Sequence, residues 1–416
     1  MADSMSDAVE QIIVSIDDKI SGYQVVEKID EGAYGQVFKV TKDSKKYAMK
    51  IEPKRLDGAH STLKKEMEIM LELNRQNAKY FPTFSKGGME CKFHILVMTL
   101  LGDNLKKLRQ KSSNPNACSN GTWSRIGIQC LYVVKQMHDC GILHHDIKPS
   151  NFVIGDSDSE ILTNRVFHLI DFGISRKFVR TKKGGPVNAS QPNDLEFRPF
   201  KKSIDSLKGT PIYTSPNAHN MVDLGRMDDI WSLMYMIAEL VKPLPWSHLD
   251  GKQLEKVKLK TKLKSLFDND SFDSIEEMLR SGNFYSYPNY EIVYNAFKSV
   301  YDNSGCSWLD PYDWETKQMP SYARWKEQAD QRRHLFAWEY SEVSTYFKKD
   351  QWSILQVELE KKSKDKKDKK KKSVDSKKNK DEAGTMSTTT CEEIASTPVK
   401  KQKGGPLKKA VTPKPK

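Results

Sequence analysis

Nothing in the 416-residue sequence approaches the run of roughly 18 apolar residues that a membrane-crossing helix needs. The N-terminus, MADSMSDAVEQIIVSIDDK, is acidic and polar, without the basic stretch and unbroken apolar run of a secretory signal. Cysteine is scarce: Cys91, Cys118, Cys130, Cys140, Cys306 and Cys391 are scattered, and none of their spacings opens a zinc or iron-sulfur site. The length excludes a small disulfide-stapled module. These absences set the expectation of an intracellular protein, in cytoplasm or nucleus, with reduced thiols and no transmembrane segment. A dominant charge sign is also missing from most of the chain. The formal net charge is +13, and residues 361–416, with 19 lysines against 7 acidic residues, carry +12 of it. The body is nearly neutral, and its 37% hydrophobic content suits an ordinary globular core.

What is present changes character along the chain. YQVVEKIDEGAYGQVFKV and KKYAMKIE alternate apolar and polar residues around a glycine-containing turn, which predicts two or three antiparallel strands. HSTLKKEMEIMLELN, residues 60–74, switches to a helical period, with Leu63, Met67, Met70 and Leu71 able to share a face. FHILVMTL reads as another strand. After Gly102 the pattern is mainly helical, with helices predicted over Trp123–Asp139 and Asp229–Leu240, and amphipathic stretches over 252–266, 272–280 and 288–300. Residues 176–208 read as a long polar loop. From residue 361 the aromatics vanish, and KKSKDKKDKKKK marks a tail too polar to offset the entropy of ordering it.

Several short motifs fall in the order that a phosphoryl-transfer site demands. Glu31-Gly32-Ala33-Tyr34-Gly35 lies between two predicted strands, where small residues let backbone amides approach phosphates, although a plain hairpin turn would also account for it. Lys50, in an apolar strand, needs a counter-charge that Glu66 on the following helix can supply. The strongest signal is Leu143-His144-His145-Asp146-Ile147-Lys148-Pro149-Ser150-Asn151-Phe152, followed by Leu169-Ile170-Asp171-Phe172-Gly173. It offers a carboxylate to accept a hydroxyl proton, a lysine for the transferred phosphoryl group, and amide and carboxylate oxygens for a divalent cation.

With these motifs in place, the chain resembles the eukaryotic protein kinase family over roughly residues 20 to 320. The resemblance implies an α+β bilobal kinase fold: a small antiparallel sheet lobe with one main helix, and a larger helical lobe. It divides the chain into an N-terminal extension (1–19), N-lobe and hinge (20–101), C-lobe with terminal helices (102–345), and a linker with a Lys-rich disordered tail (346–416). It implies ATP and Mg2+ as cofactors, transfer of the gamma phosphate to protein Ser or Thr hydroxyls, and a monomer. By residue, it implies Lys50 on the alpha and beta phosphates with Glu66 as partner, Asp146 as catalytic base supported by Lys148, and Asn151 and Asp171 as metal ligands. The ATP pocket it implies comprises Ile29, Asp30, Glu31, Gly32, Ala33, Gly35, Val37, Ala48, Met98 as gatekeeper, and Thr99 and Leu101 in the hinge. Asp229 would support the catalytic loop from within its helix. Lys148, two residues after Asp146, fits the serine/threonine pattern.

Gly209-Thr210-Pro211-Ile212-Tyr213-Thr214-Ser215-Pro216-Asn217, in place of the usual Ala-Pro-Glu, resembles the casein kinase 1 superfamily, as do Leu244-Pro245-Trp246 and Pro311-Tyr312-Asp313-Trp314-Glu315. Gly225-Arg226-Met227-Asp228-Asp229-Ile230-Trp231 resembles its tau-tubulin kinase and nematode casein-kinase-1-like branch.

Four positions depart from the pattern. Asp30 replaces the first glycine of the phosphate loop, which would weaken ATP binding if the side chain points inward. His145 stands where most kinases carry an arginine that reads a phosphate on the activation segment, so basal, unswitched activity is expected. Ile212 replaces an arginine of the casein kinase 1 anion site and cannot act as a bidentate donor, which argues against strict dependence on primed substrates. Pro216 stiffens the substrate-facing loop. The tail suits an acidic partner or an import receptor by charge attraction, or serves only solubility. A pseudokinase or scaffold docking acidic partners through that tail is the alternative to an enzyme, though a scaffold has no chemical need for the full catalytic set.

Overall fold

The computed structural model describes residues 13–32, 35–54, 61–90, 93–156, 163–188, 191–329, 343–362 and 364. Ala33, Cys91, Cys391, the first twelve residues and the Lys-rich stretch from residue 365 lie outside the described residues. The chain divides into two units, Met1–Val357 and Glu358–Lys416. In the second, residues 358–362 are helical. No helix among the described residues is long and apolar enough to cross a membrane.

The first unit begins as a six-stranded sheet in the order β1-β2-β3-β4-β6-β5. Its strands are β1 (Lys19–Ile20), β2 (Tyr23–Gly32), β3 (Gly35–Lys42), β4 (Lys45–Pro53), β5 (Phe84–Glu90) and β6 (Phe93–Thr99), with helix α1 (Thr62–Arg75) between β4 and β5. All pairings are antiparallel. Alternation assigns the two faces. Met49, Ile51, Ile95 and Val97 join Tyr23, Val25, Phe38 and Val40 in one cluster, while Ala48, Leu96 and Met98 pack with α1 residues Leu63, Ile69, Met70 and Leu73. Lys50 and Glu52 share the parity of Ala48 and so face α1. Gly35, at φ 137°, lies so close to β4 that a Cβ would come within 2.1 Å of the Ile51 carbonyl oxygen.

The helical lobe contains α2 (Leu105–Gln110), α3 (Asn120–Asp139), α4 (Pro216–His219), α5 (Arg226–Val241), α6 (Gly251–Lys260), α7 (Leu263–Phe267), α8 (Asp273–Ser281), α9 (Tyr290–Asn303), α10 (Pro320–Ala329) and α11 (Val343–Lys348). Short strands β7 (Ile142–Leu143), β8 (Phe152–Ile154), β9 (Phe167–Leu169), β10 (Arg176–Lys177), β11 (Val179–Thr181) and β12 (Leu195–Phe197) link them. α3 and α5 are almost wholly buried and form the core with α9. α3 starts three residues earlier than the pattern predicts, because Asp313 accepts from the Ser119 amide (2.6 Å), the Ser119 hydroxyl (2.7 Å) and the Thr122 hydroxyl (2.8 Å). The Pro311–Glu315 motif is therefore a cap on α3. Arg125 and Arg165 stack on the Tyr312 ring, at 4.3 and 4.6 Å.

Two local expectations are corrected. The helix expected over 252–266 is broken into α6 and α7, because Thr261 and Lys262 are extended and buried Glu276 accepts from the Leu263 amide at 2.8 Å, capping α7. The segment 176–208 is no plain loop: β11 pairs with β12, with Val179 opposite Phe197 and Thr181 opposite Leu195. Phe178, Val179, Val187 and Leu195 form a small core with Leu143 and with Trp352 and Leu355 from beyond α11. Packing thus continues past residue 345, where the sequence suggests a linker. Trp352 also donates its indole N–H to the His138 carbonyl at 2.8 Å. Trp352→Ala is expected to cost about 3–5 kcal/mol by emptying this core, read as a lowered urea midpoint of the full chain; an unchanged midpoint would refute the part given to Trp352 in it.

Candidate active site

The sheet places Lys50 against α1 and the loop after β9. Its Nζ lies 2.7 Å from Glu66 Oε2 and 3.1 Å from Asp171 Oδ1. Burial opposes the charge on Lys50, but the two carboxylates outweigh it and hold the ammonium above its ordinary value. Burial pushes the Glu66 carboxyl up against the pull of Lys50. Desolvation also opposes the charge on half-buried Asp171, yet Lys50 keeps it below the usual carboxylate range and ionised.

Asp146 and its neighbours lie on the loop after β7. Asp146 Oδ2 accepts from Lys148 Nζ at 2.6 Å, and Oδ1 accepts from the Thr210 amide (2.9 Å) and hydroxyl (2.7 Å). Asn151 donates its amide nitrogen to the Asp146 carbonyl at 2.9 Å, which leaves its amide oxygen as the acceptor available to a cation. Beneath the loop, the Asp229 carboxylate accepts from the His144 and His145 amides, both at 2.8 Å, and from His138 Nε2 at 2.9 Å. Burial opposes ionisation, but His138 and the nearby histidines bring Asp229 down to about 2.

A cavity of about 350 Å³ lies between the lobes. It is lined by Ile29, Asp30, Glu31, Gly32, Gly35, Val37, Ala48, Lys50, Glu66, Met98, Thr99, Leu101, Lys148, Asn151 and Asp171, all expected from the sequence. Asp146 lies beside it, joined through Lys148, and Asp229 supports it from below. Leu100, within the hinge expected over 99–101, also lines it, and the sequence reading of the pocket omits Gly102, Asn104, Lys107, Ser150, Val153 and Ile170. Val153 carried a usable signal, two residues beyond Asn151 on an apolar strand. Asp30 turns back to accept from the Glu31 amide at 2.9 Å, while Glu31 pairs with Lys28 at 2.7 Å. Ile212 lies outside this cavity, and its carbonyl accepts from Trp246 Nε1 at 2.9 Å.

Sequence reasoning missed three supporting groups. Buried Glu52, two residues beyond Lys50, accepts from the Thr62 and Leu63 amides (3.2 and 3.0 Å) and the Ser61 hydroxyl (2.7 Å), so β4 caps the helix that carries Glu66. An acid at the next same-face position was the signal. Asp228 accepts from the Ser215 hydroxyl (2.6 Å), the Asn217 amide (3.0 Å) and the Gly225 backbone (2.7 Å), and burial raises it to about 6. Lys258 donates to the Pro211 and Thr214 carbonyls at 2.6 and 2.9 Å, and burial lowers it to about 7.

A sheet lobe and a helical lobe closing on a lysine-carboxylate cluster place the chain in the class of bilobal phosphotransferase folds. The protein kinase domain model matches residues 23–290, and the chain belongs to that family. It is 34% identical over 308 residues to the Caenorhabditis elegans "Putative serine/threonine-protein kinase K06H7.1", covering 72% of this chain and 84% of the relative. It is 32% identical over 261 residues to "Inactive tau-tubulin kinase ttbk-6" of the same organism (61% and 87%), and 31% identical over 298 residues to its "Putative casein kinase I C03C10.2" (69% and 81%). These relatives match the casein-kinase-1-like and tau-tubulin-kinase-like branch.

Glu52→Ala removes the acceptor from the start of α1. A loss of about 1–3 kcal/mol is expected there, read as faster amide exchange across Thr62–Arg75; unchanged exchange would contradict the cap. A second expectation concerns acid. Burial lowers His145 and His168 to about 4, whereas an unfolded histidine titrates near 6.5. Between about pH 6.5 and 4 the unfolded state binds the extra protons, so stability is full above that window and falls as pH drops through it, by up to roughly 3 kcal/mol per histidine. His145 sits at φ 70°, which asparagine tolerates. His145→Asn should shrink the difference between urea midpoints at pH 7 and pH 5.

Proposed function

We propose that this chain is an active serine/threonine protein kinase of the casein-kinase-1-like type, transferring the gamma phosphate of ATP to protein Ser or Thr hydroxyls. The observation that carries this reading is the Lys50 ammonium held between Glu66 and Asp171 in the cleft that Lys148 and Asn151 also line. Lys50 would hold the alpha and beta phosphates, with Glu66 fixing its position. Asp146, its orientation set by Thr210 and Lys148, would accept the acceptor hydroxyl proton as the new O–P bond forms and the bond to ADP breaks. Lys148 would neutralise charge on the transferred group.

The Asp171 carboxylate and the Asn151 amide oxygen form a hard-oxygen donor set that suits Mg2+, which usually takes its remaining ligands from phosphates and water. When bound, the ion would supply charge neutralisation between the phosphates. Unswitched activity is supported by buried His145, whose imidazole is held neutral near pH 7 by burial, so that it offers no charge to an activation-segment phosphate. Asp30 turns onto the Glu31 amide, which supports retained ATP binding. A binding-only reading draws on the relative named inactive, but it leaves the complete set of Lys50, Glu66, Asp146, Asn151 and Asp171 without a purpose.

Magnesium-dependent transfer of labelled phosphate to casein and a mixed peptide library is the test. Wild type should transfer before and after phosphatase treatment, and Asp171→Ala should lose at least about a hundredfold, in line with removal of a transition-state charge stabiliser. Folded wild type that transfers no more than Asp171→Ala would favour binding alone. Loss of activity on dephosphorylation would refute the unswitched state.

A further inference from the structure

A second cleft, of about 500 Å³, opens beside the nucleotide cleft, and the two share Lys148 and Ser150. Thr210, which holds Asp146, lines the second one. A peptide that brings a hydroxyl to Asp146 therefore lays a neighbouring residue in this cleft.

The partly buried charges on its walls are already matched, and Lys106 is exposed at its edge. Arg109 Nη1 lies 3.3 Å from Glu239 Oε1, and the other Glu239 oxygen accepts from the Tyr213 hydroxyl at 2.7 Å. Lys148 is paired with Asp146 at 2.6 Å. A basic substrate side chain would have to displace Arg109 from Glu239 in the presence of Lys106 and Lys148. An acidic one would have to displace Glu239 from Arg109 or pair with the exposed Lys106, where a solvated ion pair is worth little. Displacing Arg109 or Glu239 leaves a partly buried charge without its partner, which is costly. Pro115, Pro149, Ile212 and the Tyr213 ring supply apolar wall that a hydrocarbon side chain can cover without breaking any pair.

The Ile212 wall is rigidly held from behind. Trp246 Nε1 donates to the Ile212 carbonyl at 2.9 Å, and Lys258, only 1% exposed, donates to the carbonyls of Pro211 and Thr214 on either side. Three carbonyls in four residues are thus tied down into the helical lobe, and Ile212, partly packed on the core of that lobe, lines the cleft.

We infer that this cleft is an acceptor-peptide subsite selecting an apolar side chain near the phosphorylated residue, with Ile212 as its specificity-determining residue. The inference rests on the reading of the chain as a kinase of protein substrates. It replaces a charge-reading position with one that reads hydrocarbon.

The test reads binding without transfer. Labelled peptides with the acceptor Ser replaced by Ala carry Leu, Asp or Arg at each flanking position in turn. Their affinity for the full chain is measured by fluorescence anisotropy in the presence of MgADP. One position should favour Leu over both Asp and Arg by about tenfold, a factor set by 1.4 kcal/mol. Ile212→Val should keep that ranking. Ile212→Arg should shift it toward Asp at the same position, with MgADP affinity unchanged as the control for folding. Wild-type preference for Asp or Arg, equal binding of all three, or a Leu preference untouched by Ile212→Arg would each overturn the inference. A Leu preference here together with no transfer to casein or the peptide library in the separate transfer assay would instead overturn the kinase reading and leave a peptide-binding cleft of the same preference.

Discussion

The Lys50 ammonium is the point on which the site turns. One charge on β4 is shared by Glu66 on α1 and Asp171 on the loop after β9, so a single, largely enclosed group ties the sheet, its helix and the helical lobe together. Such a cluster is stable only while every member is present, since removing one partner strands a charge in a poorly solvated place. That is why β4 contributes twice. Lys50 reaches the second turn of α1 while Glu52, on the same face, satisfies the amides of its first turn. The helix is fixed at two points by one strand, and the position of Glu66 follows from it.

In the helical lobe, α5 plays the corresponding part with two adjacent acids that behave oppositely. Asp229 is matched by His138 and by two amides of the loop before Asp146, and stays ionised with its carboxyl at about 2. Asp228 meets only neutral donors from Ser215, Asn217 and Gly225, and burial lifts it to about 6. One acid therefore anchors the loop carrying Asp146 and the other anchors the segment that follows Thr214. Lys258 completes the support from α6 by binding carbonyls instead of a carboxylate, with Tyr235 and Trp246 rings at 5.1 and 5.6 Å. The segment from Thr210 to Asn217 is thus held from both sides, through the carbonyls of Pro211, Ile212 and Thr214 and through the side chains of Thr210, Tyr213, Ser215 and Asn217.

The departures from the family pattern read differently in three dimensions. Asp30 spends its charge on a neighbouring amide. His145 uses its backbone on Asp229 in a left-handed conformation, and its buried Nε2 has no hydrogen-bond partner among the described residues. Ile212 belongs to a second cleft and not to the nucleotide cavity.

The sequence alone determined β2, β3, β4 and β6, α1, α3, α5 and the motifs around Lys50, Asp146 and Asp171, because alternation, helical period and short spacing are local properties that a linear reading captures, whereas the edge strands β1 and β5 escaped it. Its limits fall where partners are distant in the chain. Nothing near residues 178–197 announces that Trp352 will bury a hairpin there, and nothing near Leu263 announces that Glu276 will stop one helix and start another. The same holds for Asp313 capping α3 and for Lys258 beneath the loop of Ile212. Residue types in order decide which chemistry a chain can carry. Only tertiary packing decides which buried polar group meets which donor, because that pairing minimises unsatisfied charge across the whole fold and not along any one segment.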